Sequence, residues 1–498
     1  MANEWQEIAA QRAEEIVDLR AENERLRTDN AELGKAMAAL QARIADLEAR
    51  LNRNPRNSSM PPSAEGFTKP PAANRAARRK AKRRPGGQPG SEGHHLAQVP
   101  NPNEVFVHRP DVCAGCGAGL EGAEVVGTEV RQVFDLPKIG AHVTEHQMVR
   151  VACRCGCTTK GPTPDEATAP ACYGPGIRAL AVYLSVYQHV PYDRLGQIFS
   201  DVLGIPVSVG AIAQMVAEAG GALGLFVSVV TDLLRDAPSV HFDETGARVE
   251  GSLHWIHSAS TALHTLLICH KRRGTPAMDD MGVIAKMTGV AIHDGWKPYR
   301  SYDVLHGLCN SHHARELQGV VDHFGQEWAD KMITLLLDAK EEVEAAIAAG
   351  RKKLPAKTLH SIRVRHGKLV AEGWKANEEV TVGTEGKWYE NTATNLLNRL
   401  DIYRDDVLRF TTDFNVSFDN NQAERDIRMV KLQQKISGSW RTKVGADHFC
   451  AIRSYVSTMK KHFCAIRSYV STMKKHDYNV LDGLRELFQG RVWLPGGT

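Results

Sequence analysis

Three acidic residues lie far apart and in unlike surroundings: Asp243 in VHFDETGARVEG, Asp294 in VAIHDGWKPY and Glu424 in NNQAERDIRMVKLQQK. The first two end short apolar runs that read as strands, and the third opens a basic helical segment. Carboxylate oxygens are the ligands that Mg²⁺ prefers. Two such ions, about 3.5–4 Å apart, activate a hydroxyl nucleophile and relieve charge on a scissile phosphate. Helical spacing puts Glu424, Arg428, Lys431 and Lys435 on one stripe, so a carboxylate for metal and cations for phosphate share a face. This chemistry requires no general-base histidine, so His241, His254, His257 and His293 read as strand or supporting residues. Glu244 stands as a rival ligand beside Asp243. The residue types point to metal-dependent chemistry on a nucleic-acid strand.

The elements that must position these acids follow from pattern. SVHFDETGARVEG, SLHWIHSAS and ALHTLLICH are β-prone runs split by small or polar turn residues, which predicts a three-stranded meander. A helical stretch over 276–288 and a fourth strand, VAIHDGW, come next. Strand, strand, strand, helix, strand is the opening of a ribonuclease-H-like fold, in which the ends of the first and fourth strands lie side by side. Asp243 and Asp294 are then neighbours although they stand fifty-one positions apart. Charge-rich helical text over about 326–400 reads as an all-helical insertion before Glu424. The catalytic core spans 238–440 and a helical tail spans 441–498.

Upstream, Leu19, Leu26, Leu33, Leu40 and Leu47 recur every seven residues, with Ile16, Asn23, Asn30, Met37 and Ile44 three places before them. This heptad predicts a coiled-coil dimerisation helix over 12–52, its Asn pairs fixing a parallel register; the alternative is an amphipathic helix packed on the body. Residues 53–103 read as a flexible linker carrying RAARRKAKRR at 75–84. Arg78, Arg79, Lys80, Arg83 and Arg84 there are candidate DNA contacts. Over 104–165, Cys113-Ala-Gly-Cys116 and Cys153-Arg-Cys155-Gly-Cys157 offer five thiols where tetrahedral zinc needs four. Cys113 and Cys116 form the firm pair, Cys153 and Cys155 the second, and Cys157 can replace either of the latter. The connecting text, VVGTEVRQVFDLP and AHVTEHQMVRVAC, reads as strand, giving a zinc ribbon with structural metal. Residues 174–235 are helical, and the turn GIPVS before a helix starting near Ser208 is compatible with a helix-turn-helix or with any helical hairpin.

The chain's 498 residues suggest three to four domains, and 42% hydrophobic content suffices for several cores. The fold class is therefore multidomain α+β: coiled coil, zinc ribbon, helical DNA-binding region and an α/β core with a helical insertion. Net charge is only +4, so the basic character is local. No run of eighteen apolar residues argues for a membrane span, and the N-terminus lacks the pattern of a secretory signal. Close cysteine pairs favour metal over disulfides, which suits a reducing cytoplasm.

The run SFDNNQAERDIRMVKLQQKISGSWRT, the DETG and HDGW strands, RNSSMPPS and RPGGQPG together resemble transposases of the insertion-sequence-66 group over nearly the whole chain. The resemblance implies a DDE transposase that cleaves element ends and joins 3′-hydroxyls to target DNA. It implies two Mg²⁺ ions held by Asp243, Asp294 and Glu424. It also implies double-stranded DNA at element ends and target as partner, a homodimer or higher oligomer, accessory proteins of the same element, and a bacterial, nucleoid-associated setting. The competing readings are a non-catalytic DNA-binding regulator and a ribonuclease-H-like nuclease that cuts without joining. Cys309-Asn-Ser-His312 is similar to a C-x-x-H element of several DDE lineages, and either binds metal or packs. Lys431 is the candidate for gripping a terminal phosphate, while Trp440 and Arg441 either touch DNA or pack. One departure stands out. HFCAIRSYVSTMKK at 448–461 recurs unchanged at 462–475, where the resemblance predicts a single copy. As helix, fourteen residues add about 21 Å and fall about 40° short of four turns, so the tail after them is displaced.

Overall fold

The computed structural model describes residues 2–54, 57–58, 96–136, 139–377, 392–469 and 480–495. Two compact units emerge: Met1–Gly66, Thr144–Ser200 and Pro206–Thr498 form one, and Phe67–Val143 with Asp201–Ile205 the other. The basic arm carrying Arg78, Arg79, Lys80, Arg83 and Arg84 lies outside the described residues, as does part of the second copy of the duplicated stretch.

In the larger unit, α1 (Ala2–Leu51) is one long helix, and its heptad residues Leu19, Leu26, Leu33, Leu40 and Leu47 are exposed. A short hairpin, β1 (Arg150–Ala152) and β2 (Thr158–Lys160), carries Cys153 to Cys157 at its tip. Helices α2 (Pro175–Val182), α3 (Tyr192–Leu203), α4 (Val209–Gly221) and α5 (Gly224–Arg235) come next. Ser208 caps α4, its hydroxyl accepting the Ala211 N–H at 3.1 Å, as the sequence predicts. The apolar stripe Ile212, Met215, Val216 and Ala219 is buried. The helix contains no Lys or Arg.

The central sheet has strands β3 (Ser239–Val249), β4 (Ser252–Ser260), β5 (Thr265–His270), β6 (Val290–His293) and β7 (Leu305–Leu308), in the order β5-β4-β3-β6-β7. The first three are antiparallel; β6 runs parallel to β3, and β7 parallel to β6. A two-residue loop joins β3 to β4, with Glu250 and Gly251 both at positive φ (52° and 73°), the geometry that matches strand twist. Helix α6 (Thr275–Met281) and a 3₁₀ turn, Ile284–Lys286, bridge β5 to β6. This is the expected meander, helix and strand.

Then come α7 (Asn310–Phe324), α8 (Glu327–Ala348), α9 (Ala356–Ala376) and α10 (Thr392–Ile402), packed on Trp328, Leu335, Leu336, Leu396, Leu397 and Leu400. The helical insertion runs past the expected end near 400, through single turns at Arg404–Val407 and Arg409–Thr412. Helix α11 (Asn421–Ser437) buries Ala423, Ile427 and Val430. Helix α12 (Lys443–Tyr469) and α13 (Val480–Leu487) complete the chain.

Three features differ in detail from the expectations. The helical tail expected from 441 packs on the core, where α12 covers the outer edge of β5. Ser454 Oγ accepts the Leu267 N–H at 2.8 Å and Thr458 Oγ1 accepts the Thr265 N–H at 3.0 Å, while Ile452, Tyr455, Val456 and Met459 are fully buried. An uncovered edge is an aggregation hazard, and hydroxyls on a helix satisfy its donors. The first described residues of the linker pack as well. Asn57 and Ser58 are buried, and Asn57 reaches His323 of α7 at 3.1 Å over Gly319, where no Cβ would fit. Finally, the connecting text of the ribbon forms strand only at Arg150–Ala152 among its described residues. In the smaller unit the chain is tied by side chains instead, Gln132 bonding both the N–H and the C=O of Val99 at 2.8 Å. Residues 96–103 therefore belong with the cysteine-bearing region rather than with the linker.

Candidate active site

Register brings the two aspartates together. Ser239, Val240 and His241 pair with Val290, Ala291 and Ile292. Asp243 lies two residues beyond His241 and Asp294 two beyond Ile292, and Asp243 senses the charge of Asp294. Alternation puts His241 and Asp243 on one face of β3 and Phe242 and Glu244 on the other. Helix α11 crosses the first face and is pinned there by its N-cap residue. Asn420 Nδ2 donates to the Phe242 carbonyl at 2.7 Å, and its Oδ1 lies 3.0 Å from His241 Nδ1. One turn into the helix is Glu424.

The acids sense one another. Burial, followed by the charges of Glu244, Asp294 and Glu424, pushes the Asp243 carboxyl well above the usual carboxylate range. Asp294 Oδ1 accepts the Trp296 N–H at 2.8 Å, which sets the turn after β6. Glu424 faces two groups of α7: His312 Nδ1 and Arg315 Nη2 each lie 3.7 Å from its Oε1. All three sequence-selected acids therefore converge.

Glu244, the rival ligand, is committed elsewhere. Its carboxylate, almost fully buried, pairs with Arg273 at 2.8 Å and accepts the Tyr299 hydroxyl at 2.7 Å. Burial raises its pKa, and Tyr299 and Arg273 pull it back. The Arg273 guanidinium lies over Trp296 (4.0 Å) and Trp255 (4.8 Å), a cation held between two indoles beside the aspartates. Nothing in the spacing of Arg273, Trp255 and Trp296 marks this stack, since its members come from three separate elements.

The expected cation stripe on α11 divides. Arg428 and Lys435 are exposed. Lys431 Nζ instead donates to the Gly246 carbonyl of β3 at 2.5 Å, and burial lowers its pKa. In this conformation it clamps helix to strand rather than pointing at solvent. Trp440 also packs: its N–H and C=O bond Arg248 and Glu250, and its ring lies 5.1 Å from Phe449. Among the histidines read as supporting residues, His293 is buried against Tyr299 and His306, and burial holds it well below its usual pKa.

The cysteine knuckles are built alike within their own units. In one, the Cys113 N–H bonds Ala118, and Gly117 turns back with φ of 74° to the Cys113 carbonyl. Hydrogen bonds from the backbone of Cys116 and Gly115 lower the Cys113 pKa. In the other, Gly156 (φ 88°) bonds the Cys153 carbonyl, and the Cys157 N–H foremost lowers the Cys155 pKa. Metal binding requires thiolates, so both turns favour the ligating form.

A family model described as the transposase IS66 family matches residues 170–448, more than half of the chain. The chain belongs to the IS66 transposase family. A zinc-finger binding domain of transposase IS66 matches residues 110–156. That span contains Cys113, Cys116, Cys153 and Cys155 and stops before Cys157. A family of unknown function matches residues 8–97, across α1 and the basic arm. No curated protein matches the chain. The transposase match ends at His448, the first residue of the duplicated stretch, so every acid of the site lies inside it. Family membership implies DNA binding, and the zinc-finger match implies structural zinc. No single described helix is long and apolar enough to cross a membrane.

Proposed function

We propose that the chain is a DDE transposase that cleaves the ends of its element and joins the freed 3′-hydroxyls to target DNA. One observation carries this reading: Asp243 lies within β3, Asp294 directly follows the parallel neighbour β6, and Glu424 in the first turn of α11 acts on Asp243 together with Asp294. The strand order β5-β4-β3-β6-β7, with only the first three strands antiparallel, supports a ribonuclease-H-like core. The donor set suits two Mg²⁺ ions: hard oxygens only, crowded so that the Asp243 carboxyl resists ionising without a cation nearby. Bound there, the ions would supply an activated oxygen nucleophile and neutralise charge on the scissile phosphate.

The remaining residues position and bind. Asn420 fixes where α11 begins, and Lys431 fixes its middle against β3. Arg428 and Lys435 are exposed cations of that helix and take DNA phosphates. The arm with Arg78, Arg79, Lys80, Arg83 and Arg84 adds sequence-independent affinity. Cys113, Cys116, Cys153 and Cys155 hold zinc, and the exposed heptad face of α1 pairs with a second copy. Accessory proteins of the element and a nucleoid setting belong to the same reading.

The test is incubation of the purified chain with DNA carrying the inverted repeats that flank its reading frame. Mg²⁺-dependent cleavage and strand joining, both abolished by Asp243→Ala, are expected. Cleavage without joining would convert the reading to a nuclease. Specific binding to the repeats without any cleavage would make the chain a regulator.

A further inference from the structure

A second group of donors shares Glu424 with the acids, and its other two members, Cys309 and His312, have no role in the reading above. Cys309 sits at the N-terminal end of α7, His312 in its first turn and Glu424 in the first turn of α11. The sulfur, one imidazole nitrogen and one carboxylate oxygen all lie within 4.8 Å of one another. Cys309 is buried, and its backbone N–H bonds the His293 carbonyl at 3.0 Å, one residue before Asp294. Its Sγ accepts the Asn420 N–H at 3.2 Å, which ties the start of α11 to the start of α7. Two polar atoms between these helices have no hydrogen bond among the described residues: His312 Nδ1 and Glu424 Oε1, both buried. Orphaned buried polar atoms are uncommon and call for a partner.

We infer that Cys309, His312 and Glu424 form a site for a thiophilic divalent cation, Zn²⁺ above all, distinct from the all-oxygen site of Asp243 and Asp294 but sharing Glu424 with it. Donor chemistry carries the selection. Sulfur and imidazole suit zinc, whereas Mg²⁺ takes oxygen. Bonds of about 2.3 Å to sulfur and about 2.0–2.2 Å to nitrogen and oxygen put tetrahedral donors about 3.3–3.7 Å apart. His312 and Glu424 already meet that spacing at 3.7 Å, so only the longer separations must close, by roughly 1 Å. A helical i, i+3 step keeps Cys309 and His312 on one side of α7. Three protein ligands leave a fourth position for water. Two features oppose it: Arg315, 3.7 Å from Glu424, puts its charge in the neighbourhood that the cation would enter, and burial pushes the Cys309 thiol up to about 12, so the cation must displace its proton. A cation there withdraws Glu424 from the aspartates, so zinc competes with Mg²⁺ function.

The binding claim is independent of whether the chain transposes DNA; only the inhibition rests on that reading. Equilibrium dialysis of the full chain against Zn²⁺ in Mg²⁺ buffer, read by elemental analysis, is expected to give one more bound zinc in the wild type than in Cys309→Ser or His312→Gln. Two variants guard against one that fails to fold, and circular dichroism reports folding for each. Titration of Co²⁺ into the chain already given one equivalent of Zn²⁺ should produce a thiolate-to-cobalt charge-transfer band. Either variant should lose it, with affinity falling by more than the ~100-fold seen for supporting partners, and Arg315→Gln should tighten binding. Equal zinc content in wild type and both folded variants would overturn the site, as would a cobalt band that survives Cys309→Ser. In the cleavage assay, Zn²⁺ should inhibit the wild type at concentrations at least tenfold below those needed for His312→Gln. If no cleavage occurs at all, the transposase reading fails while dialysis still decides the metal site.

Discussion

Asn420→Ala separates positioning from chemistry. The side chain is 1% exposed and makes two hydrogen bonds, to the Phe242 carbonyl at 2.7 Å and to His241 at 3.0 Å. It caps no helical N–H, so truncation removes these two bonds and little else. A buried hydrogen bond is worth about 0.5–1.5 kcal/mol net, and an orphaned partner raises the loss to about 1–3 kcal/mol. Together the two should cost about 2–6 kcal/mol, measurable by urea unfolding of the full chain. The functional effect should exceed the loss of folded protein. Glu424 is four residues on, and a shift of about 1 Å at a catalytic group costs about 100-fold in rate. Single-turnover cleavage of end DNA, at temperatures where the variant is fully folded, should therefore fall by about 100-fold. DNA affinity by fluorescence anisotropy should hardly change, because Arg428 and Lys435 remain. A variant that loses the stability yet cleaves at the wild-type rate would refute the idea that this residue places Glu424. One that loses neither would show both hydrogen bonds to be dispensable.

Asp243→Asn should abolish metal-dependent cleavage while raising the melting temperature in EDTA, since it removes a carboxylate that burial and its acidic neighbours make hard to ionise; a lowered melting temperature would count against that crowding. Ser454→Ala with Thr458→Val strips the acceptors from two buried N–H groups of β5, and should cost about 2–6 kcal/mol in denaturant unfolding. Acid should destabilise the fold through buried neutral histidines: His257 and His366 are lowered to about 4, and His313 to about 3. Each takes up its proton only on unfolding between pH 6.5 and its folded value. Stability should therefore fall with pH there, by up to about 1.4 kcal/mol per unit for each, partly offset by the raised carboxyls of Asp243 and Glu244. Flat stability between about pH 6.5 and 4.5 would contradict it. Removing 462–475 gives the same sequence as removing 448–461, and should leave unfolding and cleavage unchanged within about 0.5 kcal/mol; loss of folding would mean that the second copy is structural.

The acids were legible because β-alternation and strand order act on short range in sequence. Given a meander, a helix and a strand, the constant offset of fifty-one fixes the pairing of Asp243 with Asp294. Type alone left Asp243 and Glu244 equivalent; only the opposite faces of β3, and the Arg273 and Tyr299 that claim Glu244, separate them. Lys431 illustrates the limit of face arguments. Helical spacing placed it on a stripe with Arg428 and Lys435, but a half-buried lysine within reach of a strand carbonyl bonds the carbonyl. The helix spacing also gave no sign that Ser454 and Thr458 would face a sheet edge, because hydroxyls at i and i+4 equally suit solvent. Asn57 was hidden for a related reason: composition marks its surroundings as a linker, whereas a glycine on α7 makes room for one turn of it.

The duplicated stretch poses a choice that side chains cannot make, since both copies offer β5 the same residues. The connection makes it. Only residues 438–442 lie between α11, ending at Ser437, and the sheet-edge helix starting at Lys443. Within them Trp440 is bonded to Arg248 and Glu250, and the Lys443 N–H is bonded to Glu250 at 2.9 Å, which fixes where α12 can begin. Docking the second copy would demand fourteen more residues in that short span and would leave the apolar side of the first copy exposed. The first copy therefore takes the edge. Its last residue, Lys461, also closes the ion pair with Asp426 of α11 at 2.8 Å, two residues from Glu424. The displacement passes entirely to the C-terminal residues beyond the repeat, where α13 still reaches Tyr455, whose hydroxyl bonds Gly483 at 3.4 Å. Because the edge is satisfied before the repeat begins again, the geometry of the acids does not depend on the extra fourteen residues.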